Sequence, residues 1–122
     1  MDFTKNKTVY IVDDDEDDRF LLREAILKIE EHVQIVEFKS GSEMLIQLKD
    51  INQSFVSLIV LDMNMPKMNG LVTNCILKSY PAFACIPAVM FSTASSPALI
   101  ASAYDVGVDD FFTRPVSISG LD

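Results

Sequence analysis

The sequence is poor in cations, cysteine, histidine and glycine, and each shortage removes a class of function. Its 10 lysines and arginines stand against 18 acids, a formal charge of −8. Such a surface repels a phosphate backbone, so nucleic acid is not an expected partner. The 2 cysteines, Cys75 and Cys85, form neither a disulfide framework nor a metal-ligand spacing. They are expected as reduced, partly buried thiols. The one histidine, His32, belongs to no Ser-His-Asp constellation and reads as an exposed loop residue. The 4 glycines include no phosphate-cradling loop behind the first apolar run, which argues against a bound flavin or dinucleotide. No apolar run approaches the roughly 20 residues of a bilayer span. Residues 1–7 lack the apolar centre of a signal peptide, so the expected compartment is cytoplasmic, with no membrane partner.

Of the 122 residues, 49% are hydrophobic. A single domain over residues 1–122, with a substantial core, is expected at this length. The stretch that organises it runs from Ser57-Leu58-Ile59-Val60-Leu61 into Asp62-Met63-Asn64-Met65-Pro66-Lys67-Met68-Asn69-Gly70. A continuous apolar run marks a strand buried on both faces of a parallel sheet. Because it stops at a carboxylate, Asp62 is placed at the carboxyl end of a central strand, where open α/β sheets hold their ligands. Pro66 and Gly70 punctuate the loop that follows.

The β-branched and aromatic run at 8–12 predicts a first strand, which ends in the acids of residues 13–18. Phe20, Leu21, Leu22, Ala25, Ile26, Leu27 and Ile29 predict an amphipathic helix. Asp15, Glu16, Asp17 and Asp18 read as its solvated start, where acids suit the helix dipole. A strand follows at 33–38, then a helix over 41–51 capped by Ser40 or Ser42. Behind Gly70, the apolar face Leu71, Val72, Cys75, Ile76 and Leu77 predicts a third helix ending near Tyr80-Pro81. A strand at 86–91 ends in Ser92-Thr93. Pro97 opens a helix running to about residue 106, with Gly107 suited to its C-terminal cap. A last strand at 110–113 ends in Arg114-Pro115. Five strands alternating with four helices imply a doubly wound α/β fold with a parallel sheet and right-handed crossovers. A fifth helix is expected behind Pro115. The sequence instead stops at Asp122, so that helix reads as missing or truncated.

In a parallel sheet every strand's carboxyl end lies on one edge. That edge collects Asp13, Asp14, Asp62, Ser92, Thr93 and Arg114. Crowded carboxylates repel, and a hard divalent cation relieves them. Magnesium takes a few oxygen ligands at about 2.0–2.1 Å and keeps several waters, often beside a phosphate. Mn²⁺ is a natural substitute. A calcium loop is mimicked by the spacing of Asp13, Asp15, Asp17, Phe20 and Glu24. However, Asp18 stands where such a loop needs glycine, and a strand precedes it.

Val12-Asp13-Asp14, the Leu61–Gly70 segment, Ile86-Pro87 with Phe91-Ser92, and Phe111-Phe112-Thr113-Arg114-Pro115 together resemble the response-regulator receiver domain. The resemblance covers nearly the whole chain. It implies a flavodoxin-like five-stranded sheet of order 2-1-3-4-5, for which the chemotaxis regulator is a standard example. It implies a signalling domain of a two-component phosphorelay rather than an enzyme with a separate substrate. Asp62 would accept a phosphoryl group from a sensor histidine kinase or a histidine phosphotransfer protein. Asp13, Asp14, Asp62 and the main-chain carbonyl of Asn64 would hold magnesium. Ser92, the fifth residue after Pro87, would be the switch hydroxyl and Phe111 the switch aromatic. Arg114 would be the phosphate-binding cation, although the family has lysine there. The bond before Pro115 would be cis. Asn64 and Ala94 would flank the water that hydrolyses the acyl phosphate. A downstream protein target is implied, together with a dimer through the face of the fourth helix and fifth strand.

Two alternatives use the same residues. In a pseudo-receiver, the planar fork of Arg114 would replace phosphate chemistry and leave an interaction module. A magnesium-dependent phosphohydrolase would also use an aspartate nucleophile, but it wants a second acid two residues later, where Asn64 stands.

Overall fold

The apolar runs at 8–12, 58–62 and 88–92 form central strands buried on both faces, half-exposed strands at 34–38 and 110–113 flank them, and the helices between them return the chain to the same edge every time. In a computed structural model, which describes residues 7–50, 56–93 and 96–113, nine elements follow in order. They are β1 (Thr8–Val12), α1 (Glu16–Ile29), β2 (Gln34–Phe38), α2 (Gly41–Asp50), β3 (Leu58–Asp62), α3 (Gly70–Ser79), β4 (Ala88–Ser92), α4 (Pro97–Asp105) and β5 (Asp110–Thr113). All pairings are parallel, in the order β2-β1-β3-β4-β5. This is the doubly wound, flavodoxin-like sheet expected. The order reverses between β1 and β3, so their carboxyl ends flank the topological switch point. Among the described residues, no helix is long and apolar enough to cross a membrane.

Alternation along the central strands divides the core. Tyr10, Val12, Ile59, Leu61 and Met90 pack with Met44, Leu48, Leu77 and Ala103 of α2, α3 and α4. Val9, Ile11, Val60 and Phe91 face the other way, against Leu22, Ile26 and Leu27 of α1. The Tyr10 ring meets Phe38 edge-on, centroids 4.8 Å apart. Burial raises the Tyr10 phenol above its ordinary value of 10.0, because the anion would lose its solvent.

Local chemistry sets the helix starts. Asp15 caps α1, its carboxylate accepting from the N–H groups of Asp17 and Asp18 at 2.8 and 3.2 Å. Ser40 accepts from the Glu43 N–H at 3.1 Å, and Glu43 reaches back to the Lys39 N–H at 3.0 Å. Asn69 caps α3 and Ser96 caps α4. Beyond α4, Gly107 adopts a φ of 91°, the left-handed turn that favours glycine.

Several expectations need correction. The α1 stripe is narrower than the seven apolar positions: Phe20, Leu21 and Ile29 are exposed, and Arg19 is buried instead. At 3.6 residues per turn, seven positions packed into ten residues cannot all face one side. The buried face of α3 is Thr73, Asn74 and Leu77, not one that includes Val72 and Cys75. Asn74 fits there because its amide donates to the Val106 carbonyl at 2.6 Å. Cys75 and Cys85 are both free and exposed, not partly buried, on the outer side of α3 and in the turn behind it. The calcium spacing is excluded because residues 16–24 are already helical. The expected fifth helix, Arg114 and the Arg114–Pro115 bond lie outside the described residues, as does Ala94.

Candidate functional site

Strand register brings the acids together. Val12 is paired with Leu61, and the next residues along β1 and β3 are Asp13 and Asp62. Asp62 is paired with Phe91, and Ser92 follows. Asp13, Asp14 and Asp62 form one group whose carboxylate oxygens lie within 4.8 Å of one another. Asp13 and Asp62 are 0% and 2% exposed, whereas Asp14 is open to solvent.

The surrounding chain fixes these carboxylates. Asp13 Oδ1 accepts from the Asp15 N–H at 2.9 Å, which ties the first acid to the cap of α1. The Asp13 N–H donates to the Phe38 carbonyl at 3.1 Å, extending the ladder to β2 by one bond. Asp62 Oδ1 accepts from the Asn64 N–H at 3.1 Å. The loop then turns back, with the Gly70 N–H on the Met63 carbonyl at 3.0 Å. A Cβ at Gly70 would stand 2.6 Å from the Asp62 carbonyl oxygen and 2.8 Å from the Met63 Cα, so the start of α3 can lie this close to β3 only with glycine. In the same loop Lys67 carries a φ of 66°, an uncommon conformation for a residue with a side chain.

Ser92 is buried, and its hydroxyl donates to the Asn64 Oδ1 at 2.7 Å. Phe111 is opposite Met90 in the β4–β5 register and packs, half-buried, against the larger core. The structure therefore brings Asp13, Asp14 and Asp62 together and joins Asn64 to both Asp62 and Ser92. Phe111 stays on the core side of β5.

Sequence reasoning missed three supporting residues, Arg19, Arg23 and Glu37. Arg19 lies at the head of the buried α1 stripe. It donates from one guanidinium nitrogen to the Asp13 carbonyl at 2.6 Å and from Nε to Glu37 at 3.0 Å. Arg23 reaches the same Glu37 carboxylate at 3.4 Å. The signal was present in the spacing: residues 19, 22 and 26 share one helical face, so Arg19 falls in line with Leu22 and Ile26. Its buried charge is matched by Glu37 across the end of β2, which locks α1, β1 and β2 together directly beneath Asp13.

Three oxygen donors on adjoining strand ends, with neither thiolate nor imidazole among them, suit a hard divalent cation. A family model for the response regulator receiver domain matches residues 9–122. The two-component response regulator ORR13 of Oryza sativa subsp. japonica is 28% identical over 113 residues, covering 93% of this chain and 90% of that protein. The CAI-1 autoinducer sensor kinase/phosphatase CqsS of Vibrio cholerae is 28% identical over 110 residues, or 89% of this chain, and the match spans only 15% of that protein. The crystal structure of the phosphorylated cyanobacterial phytochrome response regulator RcpA aligns with a TM-score of 0.83 at 29% identity, covering 93% of this chain and 84% of that one. Receiver domains are signalling domains that bind a divalent metal in an acidic pocket at the end of such a sheet. Strand order, acid cluster and sequence match agree: the chain belongs to the response regulator receiver domain family of two-component signalling.

Proposed function

We propose that this chain is a magnesium-dependent phosphoacceptor whose modification at Asp62 changes which proteins it binds. The observation that carries this reading is a buried Asp62 at the end of β3, grouped with Asp13 and Asp14. The donor is a phosphohistidine on a sensor histidine kinase or a histidine phosphotransfer protein. An Asp62 oxygen attacks phosphorus, and the P–N bond breaks with its electron pair returning to the imidazole. The product is an acyl phosphate on the chain itself, so the domain signals rather than turning over a separate substrate. The RcpA relative, described as phosphorylated, supports a phosphoacceptor role at this level of similarity.

Adding a phosphoryl group beside two other carboxylates needs positive charge. The carboxylates of Asp13, Asp14 and Asp62, with the Asn64 carbonyl, would hold Mg²⁺ or Mn²⁺, which supplies that charge when bound. Arg114 is assigned as the second cation, replacing lysine with a planar fork that can grip two phosphoryl oxygens. Ser92 is assigned as the hydroxyl that receives a phosphoryl oxygen, and Phe111 as the aromatic that follows its movement. The α4–β5 face, where Tyr104 and Phe112 are 46% and 42% exposed, is assigned to self-association or target binding. The cytoplasm, where phosphorelay kinases act, is the proposed compartment, and residues 1–122 are assigned to a single receiver domain.

Mass spectrometry of the intact protein with acetyl phosphate tests this. Wild type should gain one phosphoryl group with magnesium and none without it, and Asp62→Asn should gain none. If wild type stays unlabelled with magnesium while Arg114→Lys is labelled, the pseudo-receiver reading replaces this one. Sustained turnover of added phosphoesters would instead support a phosphohydrolase.

A further inference from the structure

Asn64 grips both halves of the site. Its N–H donates to the Asp62 carboxylate at 3.1 Å, and its side-chain oxygen accepts the Ser92 hydroxyl at 2.7 Å. Ser92 is 0% exposed, and its neighbour Phe91 is paired with Asp62 across β3 and β4. A hydroxyl carries one proton. While that proton lies on Asn64 Oδ1, it is not available to an oxygen of a group on Asp62.

We propose that the Asn64 side chain is a positioning residue that latches Ser92 in the resting state. When Asp62 carries a phosphoryl group, rotation of the Ser92 side chain hands the hydroxyl proton from Asn64 Oδ1 to a phosphoryl oxygen. No covalent bond changes; one hydrogen bond is exchanged for another. The new acceptor is anionic, and charge-assisted bonds are roughly twice as strong as neutral ones, so the exchange runs forward with phosphate present and back when it leaves. The latch rests on the reading of Asp62 as acceptor and Ser92 as its switch hydroxyl, and adds what opposes the movement.

The main-chain groups of Asn64 survive substitution of its side chain, so the latch is separable from the metal site. The experiment is an NMR titration of beryllofluoride, a phosphoryl mimic, at saturating magnesium on wild type, Asn64→Ala, Ser92→Ala and the double variant. Releasing the latch should tighten beryllofluoride binding roughly two- to tenfold, the span one net hydrogen bond supplies. In the Ser92→Ala background Asn64→Ala should leave beryllofluoride affinity unchanged, and any change in magnesium affinity should be the same with and without the Ser92 hydroxyl. In ligand-free protein, Ser92 χ1 couplings should report one rotamer in wild type and in Asn64→Asp, which keeps the acceptor oxygen. Asn64→Ala should shift the Ser92 rotamer populations away from those of wild type.

An Asn64→Ala effect that is absent, reversed in sign, or persists without the Ser92 hydroxyl overturns the latch. So does a change in magnesium affinity of equal size that appears only with the Ser92 hydroxyl present, since the metal site would then be responsible. Wild type that takes up beryllofluoride without these differences refutes the latch alone. Wild type that takes up none refutes the proposed function with it.

Discussion

At the carboxyl edge of the sheet, Asp13, Asp62 and Ser92 are buried at 0, 2 and 0% exposure. At the amino edge of the same strands, Val9, Val33 and Leu58 line an apolar groove of about 300 Å³ with Ile26 and Ile29 of α1. The two edges are only a strand's length apart. One holds polar groups where water is scarce, and the other holds hydrocarbon where water is close. Burying a charge is unfavourable unless it is paired, hydrogen-bonded or bound to metal, so stability alone would not select the carboxyl edge. The strands supply the cohesion, and their ends carry the chemistry.

The largest expected effect comes from the cohesive part. Ile59, fully buried and three residues before Asp62, packs in the larger core. Ile59→Ala should cost about 2–5 kcal/mol in urea unfolding, while the fraction still folded remains labelled at Asp62. Labelling lost in well-folded protein would show that the two edges are not separable. Gly70→Ala should come next, at about 1–3 kcal/mol, because the new Cβ meets backbone rather than a side chain that can yield. Unlike Ile59→Ala, it should also slow phosphorylation in fully folded protein, since the displaced atoms belong to Asp62 and Met63. An unchanged labelling rate would mean that the loop absorbs the shift.

Asp13→Asn should act in the opposite direction. Removing one of three crowded carboxylates should raise metal-free stability by about 0.5–2 kcal/mol while weakening magnesium binding at least tenfold. An asparagine oxygen can still accept from the Asp15 N–H, so the local turn is kept. A less stable Asp13→Asn protein would break the contrast between the two edges. The smallest effect concerns Tyr10. Its phenol titrates above 10.0 in the fold, so the unfolded chain loses this proton first. Stability should be full below about pH 10 and fall as pH rises through the raised value, by at most ~1.4 kcal/mol per pH unit for one proton. Tyr10→Phe should flatten that alkaline slope in denaturant midpoints. An unchanged slope would assign it to other groups.

Much of this was written in local sequence. Thr8–Val12 and Asp110–Thr113 were legible as strands because β-branched and aromatic residues end abruptly at charged ones. Pro97 and Gly107 marked α4 because each restricts or releases a single backbone angle. Asp13, Asp14 and Asp62 could be placed on one edge because parallel topology sends every strand end the same way. These are one-dimensional signals, carried by neighbouring residues.

What the sequence could not decide was which groups touch. The α1 stripe was drawn too wide because periodicity names a face but not how much of it a neighbour covers, and only packing against β1 and β3 selects Leu22 and Ile26 over Phe20 and Ile29. Arg19 reaches Glu37 and the Asp13 carbonyl across three elements, contacts that depend on helix rotation. The exposed thiols of Cys75 and Cys85 follow from the same rotation and the turn behind α3. The bond between Asn64 and Ser92 joins residues 28 apart in sequence, and it exists because β3 and β4 pair in one register that brings a loop amide over a strand-end hydroxyl. Composition and spacing determined which chemistry is present at the strand ends; the tertiary structure determined which hydroxyl is held by which amide, because hydrogen bonds depend on ångström-scale distances that sequence separation does not encode.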